Sequence, residues 1–376
     1  MGSDRAPLTV LIWGTFDLGK PRMRIILAAL EAAGIRVELQ HIPIWDGIED
    51  KGALKGRLVP LRFGLRYLWA ILRLWAMAFR APSHDVVLIG YLGQFDVLAY
   101  QPIALLRRKP LVWDAFLSLY DTVVIDRGKL REGGLAARSL RRLERIGAQC
   151  ADRVVLDTAP HAARFATLLD VPEGRIDWVP VGAEPQIFPA LPPKRSSGVP
   201  LTILFYGQFI PLHGIETIIA AARLAQAQGA PWRWRLIGTG QEAARIRKDL
   251  DASPVPGLDW VEWVPYSDLS TEIAAADVCL GIFGASGKAA SVVPNKVYQV
   301  LASGRPLITR DSPAMRALAP EPVKGLTLIP ASDPHALVAA VKQSTNQAPD
   351  FEALRESFGA ASLSDRWYEI LDTARR

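Results

Sequence analysis

Three short segments carry residue types that could hold a phosphate. Tyr206–Gly214 (YGQFIPLHG) places Gly207 directly after an apolar run, with the side-chain donors Gln208 and His213 between two glycines. Glycine lets a backbone approach closely, and donors at the end of a strand suit a phosphate-sized anion. Gly281–Gly304 (GIFGASGKAASVVPNKVYQVLASG) runs from an apolar stretch through the small residues Ser286, Gly287 and Ser291, past Lys288, into a helix with Pro294 near its first turn. Such a start leaves amides free for an anion, with Lys288 as a nearby cation. Lys296 and Gln299 are three residues apart, so both can reach one ligand from one helix face. The third segment, Gly14-Thr15-Phe-Asp-Leu-Gly19-Lys20-Pro21, has the spacing of a phosphate loop. Pro21 stands where Ser or Thr would hold magnesium, which argues against nucleotide hydrolysis. Gly14 and Thr15 are then either a turn facing an anion or a plain tight turn.

Other chemistries are poorly served. Cys150 and Cys279 are far apart with no CxxC, so neither a zinc ribbon nor a disulfide framework is expected, and a reducing compartment fits. His41, His84, His161, His213 and His335 form no HxxxH pair, and no metal site is expected. No run of about 18 apolar residues exists, which disfavours a transmembrane span. The first strand-like run starts by Leu8 with no basic and apolar leader before it, so secretion is not expected.

Of 44 basic and 38 acidic residues, 25 and 20 lie within 1–190, so five of the six net positive charges belong there. Leu61–Ala81 contains Arg62, Arg66, Arg73 and Arg80, spaced 4, 7 and 7. On a helix they share a stripe about 40° wide with Trp69 at its edge. A second basic helix is predicted at Leu135–Arg145, with Arg138, Arg141, Arg142 and Arg145 on one face. The expectation is a surface for anionic lipid headgroups with Trp69 at the interface; a core helix with a solvated arginine face would give the same spacing. No nucleic-acid motif is present, and none is expected as a partner.

These segments need a scaffold. Half of the 376 residues are apolar, which suits a folded protein, and at roughly 150 residues per domain the length suggests two domains. Leu8–Trp13, Arg36–Ile42, Val86–Ile89, Leu111–Trp113, Arg153–Leu156 and Trp178–Val181 read as buried strands, with a helix at Arg22–Ala33. Pro189–Pro200 is a break rich in Pro and Ser. A second series follows, with strands Leu201–Tyr206, Trp234–Ile237, Leu258–Trp263, Val278–Ile282 and Pro306–Thr309, and helices Ile215–Ala227, Asn295–Ser303 and Leu363–Ala374. Strands alternating with helices predict an α/β fold of two doubly wound Rossmann-like domains facing across a cleft. The expected division is 1–190, a linker at 191–200, 201–355, and a helical segment 356–376 that packs back on the first domain. Ligands in such folds bind at the carboxyl ends of the strands.

The order of the strand, Gly loop and His-Gly–helix, the IGTG turn Ile237–Gly240, the entry Ala275–Val278 and PNKVYQVLASGRPLIT resembles the nucleotide-sugar domain of GT-B fold glycosyltransferases, most closely the retaining family 4. Ala151–Glu184 is similar to that family's run into the interdomain linker. The resemblance implies that Gly14 and Thr15 lie near a donor diphosphate. It places the family's cationic phosphate clamp on Gln208 and His213, and its Glu-x7-Glu carboxylates on Ser291 and Gln299. The loop that bears a histidine in many members falls near Trp113–Asp121, which contains none, leaving Asp114 and Asp121 as candidates to touch donor sugar or acceptor. By its position in the loop after strand Leu258–Trp263, Tyr266 is expected beside the base, with Lys296 and Gln299; Gly207 and Lys288 join the diphosphate residues, and Ser286, Gly287 and Ser291 the sugar loop. The implied activity is sugar transfer from a nucleoside diphosphate sugar, UDP foremost, without obligatory metal, to a saccharide or lipid-linked cell-envelope acceptor. The expected location is cytoplasmic, peripheral at the inner face of the membrane. A same-fold epimerase and a non-catalytic nucleotide-sugar scaffold are the alternatives.

Overall fold

The computed structural model describes residues 6–44, 59–192, 200–344 and 348–376. They fall into two units, Met1–Val181 with Gly359–Arg376, and Gly182–Phe358.

The first unit holds the strands β1 (Thr9–Gly14), β2 (Arg36–His41), β3 (Val86–Ile89), β4 (Leu111–Asp114), β5 (Arg153–Leu156) and β6 (Ile176–Trp178). All are parallel, in the order β2-β1-β3-β4-β5-β6. The connecting helices are α1 (Pro21–Ala32), α2 (Val59–Phe79), α3 (Asp96–Arg107), α4 (Leu135–Cys150) and α5 (Ala159–Leu169). β3 and β4 are buried at every residue, as apolar runs covered on both faces must be. One face, with Leu11, Trp13, Val87, Ile89 and Trp113, packs under α2–α5. Neighbouring connections leave the sheet in opposite directions between β1 and β3, the position where doubly wound folds open a crevice.

The second unit holds β7 (Thr202–Tyr206), β8 (Arg233–Ile237), β9 (Leu258–Val261), β10 (Val278–Leu280), β11 (Leu307–Arg310) and β12 (Leu326–Ile329). They are again all parallel, in the order β12-β11-β10-β7-β8-β9, which puts the switch point between β7 and β10. Its helices are α6 (Ile215–Ala227), α7 (Ala243–Ala252), α8 (Leu269–Ala275), α9 (Gly287–Ser291), α10 (Asn295–Ser303), α11 (Pro313–Leu318), α12 (Pro334–Ser344) and α13 (Glu352–Ser357). The last helix, α14 (Ala360–Arg375), belongs to the first unit. It buries Leu363, Trp367 and Leu371 against α1, β3 and β4, and Tyr368 and Arg375 donate to the carbonyls of Ala6 and Pro7.

The two doubly wound Rossmann-like sheets are as the strand–helix alternation predicts. The sixth strand of each sheet differs: β6 ends at Trp178 instead of spanning Trp178–Val181, and β12 was not foreseen. The division falls at Val181/Gly182 and not at 190, because residues 184–192 are tied to the second unit. Glu184 accepts from Tyr266, Leu191 N–H donates to Ser303, and Arg305 donates to the Pro192 carbonyl. Most of the linker expected at 191–200, residues 193–199, lies outside the described residues.

Candidate functional site

In the second unit the loops after β7 and β10 meet at the switch point. The N–H of Phe283 donates to the His213 carbonyl and that of Gly284 to Leu212, fastening the loops backbone to backbone. Arg310, at the end of β11 and almost wholly buried, donates to the carbonyls of Gly284 and Ser286 from below. Burial lowers its pKa from the usual arginine value.

Gly207 sits at this junction with φ of +140°, a conformation open to glycine. A Cβ there would lie 2.8 Å from Lys296 Nζ and 3.1 Å from the His213 ring. The glycine is therefore the opening through which a backbone, a lysine and a histidine approach one point. His213 Nδ1 is bonded to the Gln208 carbonyl, which orients the ring. Lys296, on the first turn of α10, is 5% exposed. Its ammonium nitrogen stands 3.7 Å from the centroid of the Phe205 ring and has no hydrogen-bond partner among the described residues. Burial holds its pKa well below the usual lysine value. A buried amine without a partner is costly unless something else binds it.

Beside this point runs a chain of polar side chains. Tyr206 donates to Gln299 Oε1 at 2.8 Å, Gln299 Nε2 donates to the Tyr266 hydroxyl at 3.2 Å, and Tyr266 donates to Glu184 at 2.8 Å. One lone pair and one N–H of Gln299 remain for a ligand. Lys296 is expected with the nucleoside residues Tyr266 and Gln299; its amine lies beside Gly207 and the His213 ring, two positions expected at the diphosphate. The reason is helical: at the N-terminal turn its stem reaches back over β7, while Gln299, one turn later, faces the tyrosines. Ser286 accepts from Ala289 N–H as the cap of α9, and Ser291 donates back to the Lys288 carbonyl, so both serines serve the short helix that Gly287 opens. Lys288 is itself buried within that helix, and Gln208 is exposed.

In the first unit the geometry corrects several expectations. Thr15 N–H and Oγ1 both donate to the carboxylate of Asp96, which also accepts from Tyr67. A Cβ on Gly14 would lie 2.5 Å from Asp96 Oδ2. The anion at this turn is thus an internal carboxylate, and Gly14 and Thr15 are not open to a diphosphate. Burial pushes the Asp96 pKa up to about 6. Asp114 is wholly buried and paired with Arg22 at 2.7 Å, and Arg22 also donates to the carbonyls of Val179 and Pro180. Asp121 is likewise buried, in a two-pronged pair with Arg164 at 2.7 and 2.8 Å. Both aspartates close ion pairs and present no oxygen to a substrate. Buried Glu144 of α4 accepts from Ser118 Oγ and the amides of Leu119 and Tyr120, holding the loop after β4 in place. Arg62, Arg66, Trp69 and Arg73 of α2, and Arg80 just beyond its end, are exposed.

Comparison with known proteins bears on this arrangement. The family described as glycosyl transferase 4-like domain matches residues 20–182, and that described as glycosyl transferases group 1 matches residues 200–347. The chain is a glycosyltransferase of the GT-B fold. No curated protein matches it in sequence. Among solved structures, Anabaena HepE in complex with UDP and glucose superimposes with a TM-score of 0.67 at 13% identity, over 97% of this chain and 100% of that one. Sucrose-phosphate synthase from Thermosynechococcus elongatus gives 0.63 at 16% identity, over 99% and 95%. TarM gives 0.57 at 12%, over 76% of the glycosyltransferase and 54% of that chain.

Sequence reasoning missed Asp96, Arg22, Glu184 and Arg310. Each is a charged residue at an unremarkable position whose partner lies far away in sequence. For Asp96 and Arg22, the one available signal was a charge set among apolar residues.

Proposed function

We propose that this glycosyltransferase takes its sugar from a nucleoside diphosphate sugar, with UDP as carrier, and that the diphosphate lies over Gly207 between His213 and Lys296. The observation that carries the reading is Lys296, a buried amine with no hydrogen-bond partner among the described residues, 2.8 Å from where a Cβ on Gly207 would lie. HepE, solved with UDP and with UDP-glucose, supports UDP as the carrier.

In the transfer, the bond from the anomeric carbon to the β-phosphate oxygen breaks and the diphosphate leaves with the electron pair. The acceptor hydroxyl oxygen bonds to the anomeric carbon and gives up its proton to an oxygen of the departing β-phosphate. Negative charge grows on the leaving phosphate, where Lys296, His213 and loop amides stabilise it without an obligatory metal ion. Tyr266 and the free half of the Gln299 amide serve the nucleoside. The transfer is read as retaining, and the acceptor as a saccharide or lipid-linked cell-envelope molecule reached at the cytoplasmic face of a membrane.

Titration calorimetry with UDP, GDP, ADP and CDP, in EDTA and then in magnesium, tests this reading. Selective binding of UDP in EDTA, weakened by His213→Ala, is expected. Binding that appears only with magnesium, or that ignores the substitution, refutes the assignment. The anomeric configuration of the product by NMR tests retention.

A further inference from the structure

Twelve large apolar side chains are strongly exposed among the described residues, and ten of them belong to α2, α3, α4 or Phe95, the residue that opens α3. α2 packs Tyr67, Trp75 and Met77 half-buried against the core and leaves a second apolar face exposed. It buries the modest Ala70, Ile71, Leu74 and Ala78, while Leu65, Leu68, Trp69, Leu72 and Phe79 are 54 to 61% exposed. At about 100° per residue these five span a sector of roughly 100°, and Arg62, Arg66, Arg73 and Arg80 fill the adjoining sector of roughly 40°. A contiguous exposed apolar patch of this kind marks an interaction surface.

The three helices form one layer. Trp75 of α2 donates to the Ala99 carbonyl of α3 at 2.9 Å, and Arg107, at the end of α3, donates to the Ala81 carbonyl just beyond α2. α4 abuts α3 at Gly147, where a Cβ would meet Val97 at 3.1 Å. Along α4 runs an open groove of about 470 Å³ lined by Arg138, Arg141, Arg142, Arg145, Ile146 and Gln149. α2 contains no acidic residue, and the acids of α3 and α4, Asp96 and Glu144, are each 1% exposed. The outer face of the layer therefore shows arginines and apolar side chains but no carboxylate from its own helices.

We propose that the outer face of α2, α3 and α4 docks on an anionic lipid bilayer, with α2 lying in the headgroup layer. Leucines, Trp69 and Phe79 suit the acyl boundary, and the arginines suit lipid phosphates, reaching them from stems that stay on apolar surface. A nucleic acid would leave the leucines wet, and a second copy would set one arginine field against another. The proposal extends the arginine stripe of α2 to a surface three helices wide and does not depend on the donor.

Co-sedimentation of the full chain with phosphatidylcholine vesicles, with and without phosphatidylglycerol, tests it in the absence of any nucleotide. Wild type is expected to sediment only with the anionic vesicles. Each basic residue at such a surface is worth about 1 kcal/mol, so loss of two positive charges weakens partitioning roughly 30-fold. Arg138→Glu with Arg142→Glu on α4 should lose at least that much, and Leu68→Ser with Leu72→Ser on α2 should also release the protein. All four side chains are exposed, so the variants should keep the wild-type melting temperature. Quenching by bromine-labelled lipid should fall in Trp69→Phe. Wild type left in the supernatant, or an α4 variant that sediments like wild type, overturns the proposal. So does a concentration-dependent dimer that the α2 variant dissolves, which would assign the face to a second copy.

Discussion

Replacing Lys296 with methionine keeps the stem over Phe205 and removes only the amine. If that amine serves the donor diphosphate, the change should have opposite effects on binding and on stability. A hydrogen bond to a charged group is worth about 1.5–3 kcal/mol, which is roughly 10- to 150-fold in the Kd for UDP. In the ligand-free protein the nitrogen is buried with no hydrogen-bond partner among the described residues, a cost of about 1–3 kcal/mol that methionine removes. Lys296→Met should therefore bind UDP more weakly, bind uridine unchanged, and melt at a higher temperature. Protonation adds a second readout. Burial depresses the amine's pKa in the folded state, so the unfolded chain binds more protons and stability rises with pH up to the ordinary lysine range. The variant's advantage should accordingly shrink as the pH approaches about 10. A diphosphate favours the charged amine, so UDP binding should take up a proton at any pH above the amine's lowered pKa. That appears in calorimetry as a heat that varies with the ionisation enthalpy of the buffer, and it should vanish in the variant. Unchanged UDP affinity, or a variant that is less stable without ligand, would refute the reasoning and make Lys296 a structural residue.

Gly207→Ala forces a Cβ toward Lys296 and His213 at a positive φ, and calorimetry should register loss of UDP binding together with a lower melting temperature. Asp114→Ala strands the buried Arg22 guanidinium and should cost about 3–5 kcal/mol in denaturant unfolding of the first unit; a fall in kcat with unaltered stability would instead restore a catalytic role. Asp96 has a folded-state pKa raised to about 6 against an unfolded value of 3.8, so the folded state binds more protons and wild type loses stability as pH rises through that window. Relative to Asp96→Asn, wild type should lose up to about 3 kcal/mol between pH 4 and 7, and parallel stability curves would contradict this.

The doubly wound fold was legible in the sequence because buried parallel strands are short apolar runs and their helices follow at regular distance. Helix Asn295–Ser303 was read to the residue, since Pro294 and Gly304 punctuate it. Helices α3, α5, α7, α8, α9, α11, α12 and α13 were not foreseen; α8, α9 and α13 are short, and the apolar residues of α3 and α5 run nearly all round their axes, which blurs the 3.6-residue period. The order of each series of strands, the glycine loops and the residue types able to meet a phosphate were likewise properties of the sequence alone. Only tertiary structure decided which of those residues are free to act. Thr15, Asp114 and Asp121 have the chemistry of a site, yet each is consumed by a partner more than 40 residues away, Asp96, Arg22 and Arg164. Lys296 looked like one helix-surface group among others until the β7 strand brought Phe205 and Gly207 beneath its amine. The reason is general: the chemistry a residue can do is written in its type, but whether its polar atoms are already satisfied depends on neighbours that the chain brings together only by folding.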